Sequence, residues 1–162
     1  MKEKDINIKI QDVLLNVRAV AIIVFNDKIL FQKRKQDMFW ALPGGKIKAG
    51  EKSEQTIVRE LKEELEINKF KIEKCNSVSE YFFKYDGNLI HQYIFSYIVK
   101  VDNSEWIFEE EEFDGKEKNE NLIFKWFSLN SLKDAPIKPD FLKKQIENIK
   151  GNGIIFTSYT EK

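Results

Sequence analysis

The sequence has few of the features that mark secreted, membrane-bound or nucleic-acid-binding proteins. Its one cysteine, Cys75, excludes an intramolecular disulfide framework. No apolar run approaches the roughly 20 residues needed to span a bilayer, and residues 1–5 lack the apolar segment of a secretory signal. Lys plus Arg and Asp plus Glu both number 27, so no net charge attracts duplex nucleic acid. We therefore predict a cytoplasmic protein with no membrane or duplex nucleic-acid partner.

Apolar and aromatic residues are abundant enough to form a core. Hydrophobic residues make up 42% of the chain and aromatic residues 13%, which argues against wholesale disorder. The 162 residues suit one domain, because single cores commonly reach about 100–200 residues. No internal repeat is evident. We predict a single domain over residues 1–162.

Apolar alternation and β-branched runs predict a sheet that is at least partly antiparallel. Turn-forming residues indicate two hairpins, with Asn26-Asp27 in the first and residues 85–88 in the second. The acidic segment 102–121 is predicted to be a loop or frayed insertion. The predicted strands cover residues 17–25, 28–33, 39–42, 70–83, 89–101 and 122–127, with weaker alternation over residues 6–15.

Two segments predict helices. Ser53 is a candidate N-cap for the first, which continues from Thr56 to Glu66 without Gly or Pro. The second covers residues 140–150, between Pro139 and Gly151. Two helices among mixed strands indicate an α+β or layered α/β/α domain.

The first helix places carboxylates beside its apolar stripe. The stripe consists of Ile57, Val58, Leu61 and Leu65. Glu60, Glu63 and Glu64 lie on the neighbouring arc, where i, i+3 and i+4 spacing brings their Cβ atoms within about 5–6 Å. Either a hard divalent metal such as magnesium or manganese neutralises them, or they form a solvated acidic face. The helix alone does not decide between these two possibilities.

The segment that leads into this helix resembles the box motif of the Nudix hydrolase family. That motif reads Gly, five residues, Glu, seven residues, Arg-Glu, an aliphatic, any residue, Glu-Glu, any residue, Gly and an aliphatic. Residues 45–67 match eight of its nine specified positions, from Gly45 and Glu51 to Ile67. Trp40-Ala41-Leu42-Pro43-Gly44 before the box is also similar. Glu66 replaces the family glycine, so we expect the helix to continue and end near Asn68.

The resemblance implies a fold, a metal site and a reaction. The fold would be a Nudix-like α/β/α sandwich with a mixed β-sheet, and the reaction a metal-dependent cleavage of a phosphoanhydride bond. Magnesium or manganese would lower the pKa of an attacking water. By position in the motif, the metal ligands would be Glu60, Glu63, Glu64 and the Gly45 carbonyl, and the catalytic group Glu60, Glu63, Arg59 and Glu51, with Arg59 and Glu51 orienting the site.

The general base is left open at this stage. Glu60 is the first candidate, because a carboxylate beside the metal can take the proton of the water. Glu80 and the run Glu109 to Glu112 are the alternatives, since family members differ in where the base lies. A solvated loop charge is the competing interpretation for each member of that run. The number of metal ions is also left open.

The substrate is expected to be a small nucleotide in which a nucleoside diphosphate is linked to another group. No proline lies between Pro43 and Pro136, where ADP-ribose pyrophosphatases of the family have one soon after the box, and the coenzyme A signature is absent upstream. Nucleoside triphosphates, dinucleoside polyphosphates and nucleotide sugars stay open, and so does a homodimer. The alternative function is a catalytically weak nucleotide sensor of the same fold.

Several further side chains could bind a nucleotide. Arg18 and Arg34 could contact phosphate through their forked donors, or form surface ion pairs. His91, the only histidine, is expected to face solvent or occupy a satisfied polar niche. The aromatic residues that could stack on a base, although core packing is the commoner role, are Phe39, Trp40, Tyr81, Phe82, Phe83 and Tyr93.

Overall fold

The computed structural model, which describes residues 4–162, has two β-sheets and two α-helices. The six strands of the larger sheet are β1 (Asn7–Ile10), β2 (Val13–Ile22), β5 (Gly44–Lys46), β6 (Phe70–Tyr85), β7 (Asn88–Val101) and β10 (Ile155–Thr160). They lie in the order β1-β2-β7-β6-β10, with β5 beside β2. β2 pairs with β7 in parallel, whereas β6 and β7 are antiparallel, so the sheet is mixed as predicted.

The smaller sheet is antiparallel throughout. Its strands lie in the order β3-β4-β9-β8 and are β3 (Val24–Phe25), β4 (Lys28–Arg34), β9 (Leu122–Ser128) and β8 (Glu112–Asp114). Both predicted hairpins are confirmed. Asn26 and Asp27 have φ angles of 48° and 59°, and Asp86 and Gly87 have φ angles of 49° and 74°. Two consecutive left-handed residues match the right-handed twist of the flanking strands.

A helix packs on each face of the larger sheet. The helix α1 (Ser53–Leu65) buries Ile57, Leu61 and Leu65 against the side of β2 that carries Ala19 and Ala21. The short helix α2 (Leu142–Glu147) packs Leu142 and Ile146 on the opposite side, with Val20 and Ile22. This alternation along β2 follows from the two-residue period of a strand. The layers confirm the predicted α+β sandwich.

Both ends of α1 differ from the sequence prediction. Lys52, not Ser53, is the N-cap, and its backbone N–H donates to the Gln55 side chain at 2.9 Å. The Ser53 hydroxyl lies 2.6 Å from the hydroxyl of Tyr97 instead. At the other end, the expectation that the helix continues to Asn68 is wrong. Glu66 is left-handed, with a φ angle of 51°, and its N–H donates to the Lys62 carbonyl at 3.1 Å.

The boundaries of other elements also differ from those predicted from the sequence. Residues 39–42 form only isolated bridges, at Trp40 and Ala41, and the next strand begins at Gly44. The second helix, Leu142–Glu147, is shorter than the predicted residues 140–150. The edge strand β10 was not predicted. The acidic segment is a loop that also contains a 3-10 helix at Trp106–Phe108 and the strand β8. Neither helix in residues 4–162 has the length and apolarity to cross a lipid bilayer.

Candidate active site

Two glycines bring the backbone of β5 close to helix α1. Gly44 has a φ angle of 144°, and a Cβ there would lie 2.2 Å from the Ala19 carbonyl oxygen. A Cβ on Gly45 would lie only 2.1 Å from Oε1 of Glu60. Because no side chain fits in either place, only glycine lets the Glu60 carboxylate approach the strand.

Arg59 connects the acidic residues of the motif. Its Nε donates to Oε1 of Glu51 at 2.8 Å and its Nη2 to Oε2 of Glu51 at 3.1 Å, a two-pronged contact. Its Nη1 donates to Glu60 at 2.6 Å and to Glu63 at 3.3 Å, while Nη2 also reaches the Lys46 carbonyl at 3.1 Å. Burial opposes the charge of Arg59, but its carboxylate partners raise its pKa above the usual value. Arg59 therefore fixes the position of three carboxylates at once.

Glu51 is fully engaged as a structural anion. Besides Arg59, its Oε2 accepts from the Lys48 backbone N–H at 3.0 Å and from the Thr56 hydroxyl at 2.8 Å. Burial alone would raise its pKa, but these donors outweigh burial and lower the pKa of Glu51 to about 2. Glu51 is thus ionised at neutral pH and has no role to play in accepting a proton.

Glu60 and Glu64 form a buried pair of like charges. Their residues are only 9% and 5% exposed, and the Oε2 of Glu64 is buried without a hydrogen-bond partner in the described part of the chain. Burial, followed by the neighbouring charge of Glu60, raises the pKa of Glu64 to about 9. Burial also raises the pKa of Glu60, against the opposing charge of Arg59. An unpartnered carboxylate oxygen beside a second buried carboxylate fits a hard divalent cation.

Glu63 does not converge with this pair. Its side chain is 46% exposed and turns toward Arg59. Accordingly, no group of three or more His, Cys, Asp or Glu side chains within residues 4–162 is arranged as a ready-made metal site. The structure brings Glu60 and Glu64 together and leaves Glu63 at the rim, where a change of rotamer would be needed for it to join them.

The acidic pair opens into a cleft of about 650 Å³. Acidic side chains line this cleft together with five cationic ones, which could contact the phosphates of a ligand whose charge a metal shares. The cationic residues are Arg18, Lys33, Arg34, Lys46 and Arg59. Burial lowers the pKa of Arg18, while Glu64 and Glu60 act as nearby opposite charges. Both arginines singled out from the sequence therefore lie at the cleft, although Arg34 also pairs with Glu120 at 3.1 Å.

The alternative bases named from the sequence do not line the cleft. Glu80 lies on β6, where its Oε1 is 3.2 Å from the Nε2 of His91 and accepts from the Tyr93 hydroxyl at 3.1 Å. This places His91 in a satisfied polar niche, as expected. The run Glu109 to Glu112 lies along the smaller sheet, with Glu111 paired to Lys28 at 3.3 Å.

Glu117 and Glu120, which the sequence analysis missed, line the cleft from the same acidic segment. The Lys116 N–H donates to the Glu64 carbonyl at 2.7 Å and holds this part of the loop against the end of α1. Partial burial and the nearby charges of Glu120 and Glu63 raise the pKa of Glu117. Composition marks the whole segment as acidic, but long-range contacts such as this one decide which of its glutamates lie at the cleft.

Aromatic residues divide between the cleft and the core. Phe39 and Phe83 line the cleft, together with Tyr85, which was not singled out from the sequence. Trp40 and Tyr81 are buried in the core beside α2. Phe82 stacks on His91 at 4.3 Å between ring centroids, on the other face of the sheet.

Comparisons with known proteins give one consistent family. Residues 15–147 match the sequence model of the NUDIX domain. An uncharacterized Nudix hydrolase of Bacillus subtilis, YvcI, is 24% identical over 86% of this chain and 82% of its own length. A NUDIX hydrolase structure from Nitrosomonas europaea gives a TM-score of 0.62 at 19% identity, over 90% of this chain and 79% of that one. A mutator MutT protein from Bacillus halodurans gives 0.61 at 18% identity, over 90% of both chains.

Proposed function

This chain belongs to the NUDIX family and is a hydrolase of phosphoanhydride bonds, and we propose that it cleaves a nucleoside diphosphate linked to another group with the help of a divalent metal. The observation that carries the proposal is the buried Glu60–Glu64 pair, in which one oxygen of Glu64 has no hydrogen-bond partner among residues 4–162. Burying two like charges is costly unless a cation shares the site. The charge pattern thus favours metal binding over a solvated acidic face.

Glu60, Glu63, Glu64 and the carbonyl of Gly45 would hold the metal, and the oxygen donors suit magnesium or manganese. When bound, the metal neutralises diphosphate charge and lowers the pKa of a coordinated water. Arg59 and Glu51 are positioning residues in this scheme. Glu51 keeps the guanidinium in place through two hydrogen bonds, and the guanidinium orients one oxygen of Glu60.

Glu60 is the proposed general base. Its side chain lies against Gly45 at the acidic end of the cleft, where a carboxylate beside the metal could take the proton of the water, and burial raises the pKa of its carboxyl. Glu117 and Glu120 replace Glu80 and the run Glu109 to Glu112 as alternatives, because they line the same cleft.

The substrate is proposed to be a small nucleotide: a nucleoside triphosphate, a dinucleoside polyphosphate or a nucleotide sugar. The cationic side chains of the cleft favour a polyphosphate, and the balanced net charge of the chain gives no field for duplex nucleic acid. A cytoplasmic location remains a prediction from the sequence.

The direct test is hydrolysis of a nucleotide panel with and without magnesium, using wild type and the variants Glu60→Gln, Glu63→Gln and Glu64→Gln. Each variant keeps the side-chain shape and removes one charge. We expect a loss of at least about 100-fold in rate for Glu60→Gln and Glu64→Gln, because the transition state loses charge stabilisation or a proton acceptor. Glu54→Gln, in the exposed first turn of α1, is the matched control and should retain wild-type activity.

Near wild-type rates in all three variants at saturating magnesium would show that the acidic edge is a solvated face. Nucleotide binding by the wild type without any turnover would instead support the weak sensor.

A further inference from the structure

We propose that the end of the cleft away from Glu60 and Glu64 is a nucleobase subsite, in which Asn16 and Gln92 bind the hydrogen-bonding edge of the base. The proposal rests on the nucleotide hydrolase function above and specifies how the substrate would be selected. It assigns a role to two buried amides that the metal chemistry does not use.

Asn16 and Gln92 form a buried amide pair in the wall of the cleft. The Nε2 of Gln92 donates to the Oδ1 of Asn16 at 2.7 Å, and the two residues are 5% and 8% exposed. Both line the cleft. Within residues 4–162, the Nδ2 of Asn16 and the Oε1 of Gln92 have no hydrogen-bond partner. Neither of them belongs to the fully buried polar atoms without a partner in that part of the chain, so both are accessible to solvent. The pair therefore retains one free donor and one free acceptor in the wall of the cleft.

The position of the pair along the strands fits a nucleotide. Asn16 and Gln92 are register partners in the parallel pairing of β2 and β7. Arg18 lies two residues further along β2, about 7 Å away at 3.3 Å per residue. It pairs with Lys46 of β5, the residue that follows Gly45. The cleft thus presents acidic residues, then a cation, then the amide pair, in the order needed for a scissile diphosphate, a phosphate and a base.

Apolar side chains flank the amide pair on the far side. Leu14 and Ile90 are register partners two residues before Asn16 and Gln92 in their strands. Phe83 of β6 pairs with Ile90 across the hairpin. These three residues line the cleft together with Tyr85. A flat aromatic ligand would bury its faces there, while its polar edge meets the amides.

The chemistry of the pair matches a nucleobase. Each of the common bases has a donor and an acceptor next to each other on its pairing edge, and paired side-chain amides can bind such an edge through two hydrogen bonds. Contacts of this kind discriminate between bases by about tenfold or more, because a mismatched base leaves buried polar groups unpaired.

The test measures base preference rather than rate alone. We would determine kcat/KM for the four nucleoside triphosphates and for inorganic tripolyphosphate, and the binding of the four nucleoside monophosphates by calorimetry without metal. The proteins are wild type, Gln92→Met and the double variant Asn16→Leu/Gln92→Met, which replaces both amides by apolar groups of similar size. Leu15→Met, the next residue of β2 on the opposite face, is the control.

We expect the wild type to prefer one base. In both amide variants the ratio between best and worst base should fall by about tenfold, with tripolyphosphate hydrolysis within about twofold of wild type. A melting curve establishes that each variant is folded. Gln92→Met leaves the Asn16 side chain without its hydrogen-bond partner, and the double variant removes both amides and so avoids this destabilising effect.

Three results would overturn the proposal: a wild type that treats all bases alike, an unchanged preference in the folded amide variants, or an equal loss on tripolyphosphate. Failure of the proposed hydrolase function can be told apart from failure of the base subsite, because the wild type would then cleave none of these compounds. The monophosphate binding data still decide the base subsite in that case.

Discussion

Glu51 and Glu64 lie close together in the chain, but their surroundings shift the pKa values of their side chains in opposite directions. Glu51 accepts hydrogen bonds from Arg59, Lys48 and Thr56, so its pKa falls to about 2. Glu64 is more deeply buried, at 5% exposed, has a carboxylate neighbour in Glu60, and has one oxygen without a hydrogen-bond partner in residues 4–162, so its pKa rises to about 9. Burial raises the pKa of both carboxyls, but it is deeper at Glu64, and only Glu51 has hydrogen-bond donors that outweigh it.

This contrast makes the stability of the metal-free protein depend on pH through Glu64. A carboxyl with a folded pKa of about 9 and an ordinary value of 4.5 stabilises the fold fully below pH 4.5, and this contribution is lost as the pH rises through 9. We expect Glu64→Gln to flatten the fall in melting temperature between pH 5 and pH 9 in a chelator. At pH 8 the variant should be more stable than wild type by roughly 1 kcal/mol or more, since one pKa unit corresponds to about 1.4 kcal/mol.

Glu63→Gln is the control for this experiment, because the Glu63 side chain is half exposed. Its curve should follow that of wild type. Parallel pH dependences in wild type and Glu64→Gln would mean that Glu64 is solvated in solution.

At the scale of elements, the end of α1 is set by tertiary contacts and not by local preference. Leu65 and Ile67 are both fully buried on either side of Glu66, which requires the chain to change direction between them. The freed carbonyls are satisfied from outside the helix, since Trp106 Nε1 donates to Leu65 at 2.9 Å and the Lys116 N–H to Glu64 at 2.7 Å. These contacts hold a glutamate in a conformation that normally favours glycine.

Glu66→Gly should therefore stabilise the protein, by about 1 kcal/mol, because glycine adopts the left-handed conformation without the steric cost. Glu66→Ala is the matched control. It removes the same charge and keeps the cost, so it should change little. Chemical denaturation measures both variants. A destabilised Glu66→Gly would indicate that the residue is helical in solution, and a loss of activity would mean that the side chain contributes to the site.

Local patterns predicted elements wherever the signal lay within a few neighbouring residues. The hairpin turns at Asn26-Asp27 and at residues 85–88 and the amphipathic stripe of α1 are of this kind. The strand β10 was missed because its only register partner is β6, far earlier in the chain. In the candidate site, motif spacing identified Glu51, Arg59 and Glu60, which the structure links directly. Glu117 and Glu120 could not be identified, since a backbone contact between the acidic loop and the end of α1 holds this part of the loop beside the cleft.

At the scale of the molecule, the cleft exists only when separate parts of the chain are assembled. β5, helix α1, the acidic loop and the β6–β7 hairpin all contribute side chains to it. A ligand that requires the complete cleft binds the folded state alone, and it must then stabilise the whole fold by mass action.

Magnesium or manganese should accordingly raise the melting temperature of the wild type. At a hundred times the dissociation constant the gain is about 2.7 kcal/mol, or roughly 5–10 °C for a chain of this size. Scanning calorimetry at constant ionic strength, with sodium chloride replacing the divalent salt, measures the shift. The double variant Glu60→Gln/Glu64→Gln should show none. An equal shift in that variant would place the metal elsewhere on the protein.

The two faces of the β2–β7 pair also constrain how the gene can change. Asn16 and Gln92 line the cleft, whereas the preceding residues of the two strands, Leu15 and His91, lie on the opposite face of the sheet. A deletion of one codon within β2 would reverse the faces of part of that strand, turning Leu15 into the cleft and Asn16 out of it while Gln92 on β7 kept its place, even though every other residue were retained. Insertions in the exposed turn at Asp86-Gly87 leave this alternation intact. Length variation among descendants of this sequence should therefore accumulate at that turn, and substrate preference should evolve by single substitutions on the cleft face.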